Sequence, residues 1–196
     1  MTPVPVPATV RDLASHRSIP KGESIFRVGA HAGHVFFLQR GRVVLHRFGP
    51  AGEEVVIHIA DAGEFFAEAS LHADRYHCTA VALRDSEVAA ISSIDLGARI
   101  QSDPRFAMQW LESLSAQLRK VRARVERLSI RGTAERVRHL LLTEGSGKVP
   151  TYTLQGTARE LAGQLGLTHE ALYRALAAMQ KDGTIGRTGK EIVLLR

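Results

Sequence analysis

A single cysteine, Cys78, occurs in the 196 residues. That rules out an internal disulfide framework and any cluster held by four cysteines of this chain, and it suits a reducing cytoplasm. Long apolar runs are also missing. None approaches the ~20 residues that a membrane-spanning helix needs, so no membrane partner is expected. Residues 1–8, MTPVPVPA, lack the charged start and apolar stretch of a secretion signal and predict a short, disordered Pro-rich arm. The pattern His-x-His occurs nowhere, which removes the ligand pairing that a cupin-like metal enzyme would set on one strand. Nucleophile elbows and phosphate-binding loops are absent too. No enzyme, metal or cofactor is expected from these residues.

What is present points elsewhere. Apolar residues make up 44% of the chain, enough for a packed core, and the net charge of +6 favours an anionic partner. A solvated basic surface would explain that charge equally well. Residues 9 to about 20 read as a short leading helix that ends before Pro20. From Lys21 to about Ile91 come short apolar runs punctuated by glycine: Val35–Leu38, Arg42–Leu45, Glu54–Ile59 and Cys78–Leu83. Strands of that length between closely spaced turns predict a β-roll over 9–102, whose interior is either a ligand pocket or a packed core.

Asp103-Pro104 then suits a helix start. Beyond it Ala107, Leu111, Leu114, Leu118, Val121, Val125 and Leu128 recur at alternating spacings of four and three. A seam of that kind predicts a dimerisation helix over 103–131, hinge included; a helix packed on its own roll is the plainer reading. Gly132 breaks the pattern, and Thr133 can cap a new helix carrying Val137, Leu140 and Leu141.

Within 132–196 the stretch from Thr157 to Lys181 reads as two short helices joined at Gly166-Leu167. Thr157 with Glu160 forms a capping box, and Thr168 is the N-cap candidate of the second helix. Leu172, Ala175, Leu176 and Met179 face inward, which leaves His169, Glu170, Tyr173, Arg174 and Ala177 outward. Arg can grip guanine O6 and N7 in a bidentate fork, and Glu can accept from cytosine N4. A surface ion pair on an ordinary helical hairpin is the bland alternative, worth only ~0.3–0.5 kcal/mol. The following residues, Thr184 to Leu195, read as a β-hairpin wing with Arg187 and Lys190 at its tip, able to reach phosphate.

Roll, long helix, hinge and winged helix-turn-helix, in that order over about residues 12–196, resemble the cyclic-AMP receptor protein and FNR family of bacterial transcription regulators. The specific likenesses are Lys21-Gly22-Glu23 with Ile25-Phe26 and Gly29, Gly63-Glu64-Phe65-Phe66 with Glu68, and Thr168-His169-Glu170 with Arg174. The resemblance implies an α+β chain that binds a palindromic operator as a homodimer and contacts RNA polymerase. Glu170 and Arg174 fall on the family's base-reading positions, and His169 falls where many members carry Arg. The effector site departs from the cyclic-AMP pattern. Its ribose pair Gly-Glu reads Ala67-Glu68 here, its phosphate pair Arg-Ser reads Cys78-Thr79, and its adenine pair Thr-Ser reads Val121-Arg122. Losing the phosphate arginine removes a contact worth ~1.5–3 kcal/mol. The expectation is a pocket around Glu68, Thr79 and Arg122 that takes some other small effector, or DNA binding without one.

The histidines carry the remaining chemistry. His31-x-x-His34 and the neighbours His77 and Cys78 could approach a metal or haem. Strand neighbours point to opposite faces, however, so His77 and Cys78 should not share one site, and Cys78 reads as a small buried apolar residue. A ligand-binding or interaction module that does not touch DNA is the remaining alternative, and a cupin-like metal enzyme the other.

Overall fold

The computed structural model describes residues 2–196. They divide into two compact units, one up to Glu112 and one from Ser113 to Arg196.

The first unit is an antiparallel roll of two four-stranded sheets. One sheet orders β1 (Ala14–Ile19), β8 (Ser86–Ser92), β3 (His34–Arg40) and β6 (Phe65–Phe66). The other orders β2 (Ser24–Phe26), β7 (Thr79–Ala82), β4 (Arg42–Phe48) and β5 (Glu54–Asp61). The run Val35-Phe36-Phe37-Leu38 is apolar at every position because both faces of β3 are covered. Phe36 and Leu38 join the inner core. On the other face Phe37 meets Phe65 edge-on at 5.0 Å, and Phe65 meets Trp110 at 5.1 Å. Gly41 turns β3 into β4 at φ +102°, and a Cβ there would lie 2.7 Å from the Ser86 backbone, so only glycine fits.

The interior of the roll is packed with rings. Phe26 stacks on Tyr76 at 3.9 Å and on Phe36 at 5.6 Å, and Phe36 stacks on Phe66 at 5.2 Å. Burying a phenylalanine side chain contributes about 1.5–3 kcal/mol, so this column is a large part of what holds the two sheets together.

Three stretches differ from the sequence reading. Residues 9–20 do not form one helix: a 3-10 turn at Ala8–Leu13 leads into strand β1, which pairs with β8 from Ala14 opposite Ile91 to Ile19 opposite Ser86. The demand of β8 for a hydrogen-bonded neighbour outweighs the local helical pattern. The arm expected to be disordered lies against the roll as far as it is described, with Val4 N–H donating to Gln39 O at 2.7 Å and Val6 buried. Helix α1 (Ser93–Ser102) was not anticipated; it buries only Leu96, too few apolar positions for a readable period. Ser92 caps it, and Arg99 ties it to the Asp12 carboxylate at 2.6 Å.

Helix α2 spans Pro104–Ser129. Near its start Phe106 and Trp110, one turn apart, are buried. The seam residues Leu111, Leu118, Val121, Val125 and Leu128 are exposed, from 40% at Leu128 to 61% at Val125. Ala107 and Leu114 are half-buried.

The second unit holds helices α3 (Thr133–Glu144), α4 (Ala158–Gln164) and α5 (His169–Lys181), with a three-stranded sheet ordered β10 (Ile185–Thr188), β11 (Glu191–Leu194) and β9 (Thr151–Thr153). Its core joins Val137, Leu140 and Leu141 of α3 to Leu161, Leu165, Leu172, Leu176 and Met179, with Ile185 and Ile192 beneath. Gly132, not Thr133, occupies the cap position of α3, and Thr133 is already helical. Among the described residues no helix is long and apolar enough to cross a membrane.

Candidate nucleic-acid interface

Helices α4 and α5 start as their caps dictate. The Thr157 hydroxyl accepts from Glu160 N–H at 3.2 Å, and the Thr168 hydroxyl accepts from Ala171 N–H at 3.1 Å. Each bond satisfies one of the donors that a helix start leaves free. Leu172, Leu176 and Met179 point into the core, and Ala175 is half-buried beside them. The side chains left outward by the apolar spacing are exposed: His169, Glu170, Tyr173, Arg174 and Ala177. The Glu170 carboxyl is held below its ordinary value by its own backbone N–H and the Thr168 hydroxyl, with attraction from His169 and Arg174 added. It is therefore an ionised acceptor at neutral pH. The His169 ring lies 5.3 Å from the Tyr173 ring, one turn on, so an aromatic pair stands beside the charged one on the same face. The i, i+4 spacing of His169 and Tyr173 accounts for that pairing.

The wing forms with one adjustment. Thr188 pairs with Glu191, leaving Gly189 and Lys190 as a two-residue turn, with Gly189 at φ +58°. Glycine in the first central position is what such a hairpin asks for. Lys190 is thus at the tip, but Arg187 is not: it sits on β10 opposite Ile192 and is half-buried.

The residues expected around an effector lie in different surroundings. Glu68 follows Ala67, which holds φ +65° where the resembled pattern has glycine. A left-handed alanine costs on the order of 1 kcal/mol. Burial pushes the Glu68 carboxyl up, and its Oε2 is buried with no hydrogen-bond partner among the described residues. Cys78 is buried in the roll core, and its thiol is pushed up first by burial and then by the charge of Glu68. Thr79 alternates to the other face of β7, where it accepts from Val28 N–H at 3.1 Å and lines an open groove with Glu23, Arg27, His46 and Phe48. Arg122 is exposed on α2. His77 is exposed and shares a 3.2 Å hydrogen bond with the Ser70 hydroxyl, while Cys78 faces inward, so the two do not meet one site. His31 bonds Asp74 O at 3.2 Å through Nδ1.

Residues 16–103 match the family described as cyclic nucleotide-binding domain, and residues 135–196 match the Crp-like helix-turn-helix domain. The chain belongs to the cyclic-AMP receptor protein and FNR family. Members similar to it include the cyclic AMP receptor protein of Thermus thermophilus, 29% identical over 92% of this chain and 83% of the relative. The transcriptional activator protein anr of Pseudomonas aeruginosa is 25% identical over 98% of this chain and 84% of its own length. Among solved structures, FixK2 from Bradyrhizobium japonicum superposes with a TM-score of 0.74 over 93% of both chains, at 23% identity. The family regulates transcription through its helix-turn-helix domain, and this chain is such a DNA-binding regulator.

Proposed function

We propose that the chain acts as a homodimer on a palindromic operator, joined along the seam from Ala107 to Leu128. The exposed stripe Leu111, Leu118, Val121 and Val125 carries this reading, because large apolar side chains in one line on a helix are costly to leave in water. Two-fold symmetry then sets the half-sites about one helical turn, ~34–36 Å, apart. Each reading helix offers Arg174 to guanine and Glu170 to cytosine. Tyr173 and His169 contact the neighbouring base or phosphate, and Thr157, Thr168, Arg187 and Lys190 contact the backbone. From the regulators it resembles, the bound dimer meets RNA polymerase, to activate or to block. A different effector, or none, replaces cyclic AMP.

The test is the double substitution Leu114→Arg/Leu118→Arg, read by sedimentation and by binding to an operator selected with the wild type. Monomers with greatly weakened binding are expected. Monomers that keep full operator affinity would remove the premise.

A further inference from the structure

Arg136, in the first turn of α3, donates to four carbonyl oxygens. Its Nε reaches Ile130 O at 2.6 Å and its Nη2 reaches Leu128 O at 3.3 Å. Its Nη1 reaches Leu165 O at 3.0 Å and Gly166 O at 3.1 Å. The first two carbonyls close α2, and the last two close α4. The final carbonyls of a helix have no partner within it and carry the negative end of its dipole. One guanidinium therefore serves the carboxyl ends of two helices at once: the one that bears the seam, and the one that precedes the reading helix.

The turn between α4 and α5 is seated on the same spot. Gly166 holds φ +62°, and a Cβ on it would lie 2.8 Å from Leu128 Cδ2 and 3.3 Å from Arg136 Nη1. Leu128 is also the last residue of the seam. A second arginine fastens the far end of α3: Arg127 of α2, buried, donates to Thr143 Oγ1 at 3.1 Å and pairs with Glu144 at 2.5 Å. Arg127 and Leu128 adjoin, so both arginines act at the carboxyl end of α2, Arg136 from the start of α3 and Arg127 on its last turn.

We propose that Arg136 is a positioning residue that fixes the reading helix to the end of the dimer helix, so that two heads meet both half-sites of a palindrome together. This rests on the homodimer reading. Joined heads bind the second half-site at an effective concentration set by how rigidly they are held. Without Arg136 each head keeps its reading face, but the spacing between heads is no longer held. Lysine keeps the charge and lacks the planar fork that spans four acceptors.

The experiment measures wild type, Arg136→Gln and Arg136→Lys by fluorescence anisotropy. The probes are a palindrome selected by the wild type from random DNA and the same duplex with one half scrambled. Arg136→Gln should lose 10- to 100-fold on the palindrome and stay within 2-fold on the half-site, with dimer mass and helical circular dichroism unchanged. Arg136→Lys should fall between, and it carries the test by the same criteria if the glutamine variant does not fold. Palindrome affinity within 2-fold of wild type, or palindrome and half-site affinities falling together, would overturn the proposal. A wild type that is monomeric by sedimentation would instead sink the homodimer reading on which it stands.

Discussion

At the scale of single residues, the reading face separates two kinds of work. Arg174 and Glu170 stand exposed on α5, while Lys190 stands at the wing tip. Arg174→Ala should cost ~1–3 kcal/mol and relax the preference at a G·C pair, measured by binding to single-base operator variants. Lys190→Ala should weaken all sequences alike and shallow the salt dependence by about 1 in slope. A uniform loss across sites from Arg174→Ala would show that it contacts phosphate instead. Glu68 makes a different prediction. Burial raises its carboxyl above the ordinary value of 4.5, so the folded state binds more protons than the unfolded state above that pH. The contribution to stability is present at acid pH and is lost as pH rises through the raised value. Glu68→Gln has no charge to bury, so its urea midpoint should gain on the wild type as pH rises from 4 to 8. A constant difference across that range would show that Glu68 is already paired in the fold.

At the scale of elements, α2 has two apolar faces with different spacings. The seam was legible because seven residues repeat over three heptads. The face made by Phe106 and Trp110 was not, because two residues one turn apart form no period. Only the fold, by placing Phe65 5.1 Å from Trp110, shows what that face meets. Trp110→Ala should cost about 3–5 kcal/mol of roll stability, read by chemical denaturation, because it empties a packed aromatic layer. A loss under 1 kcal/mol would mean that Trp110 packs loosely. Strand β1 is not legible in the sequence for a related reason: four of its six residues are exposed, so it carries no alternation, and pairing with β8 determines its state.

At the scale of the whole molecule, the interior of the roll bears on what controls DNA binding. The roll is filled by the stacked rings of Phe26, Phe36, Phe66 and Tyr76, and Cys78 stands where the cyclic-AMP pattern has arginine. Little response to cyclic AMP is expected. Purified protein should be tested for operator binding alone and with a nucleotide panel, alongside an absorbance spectrum for haem. A 5-fold or larger gain with micromolar cyclic AMP, about 1 kcal/mol of coupling, would show that Cys78 and Val121 are tolerated at a nucleotide site.

The sequence by itself determined the elements whose patterns repeat: the roll's main strands, the α2 seam, the caps at Thr157 and Thr168, and the outward face of α5. Those follow from the fixed periods of helix and strand, which place every second, third or fourth residue on one side. Tertiary structure alone decided that the arm lies on β3, that the Thr79 hydroxyl meets Val28 N–H, and that Arg136 closes two helix ends. Each of these depends on residues far apart in the chain, and a carbonyl left free at the end of a helix leaves no mark in the sequence that names its partner.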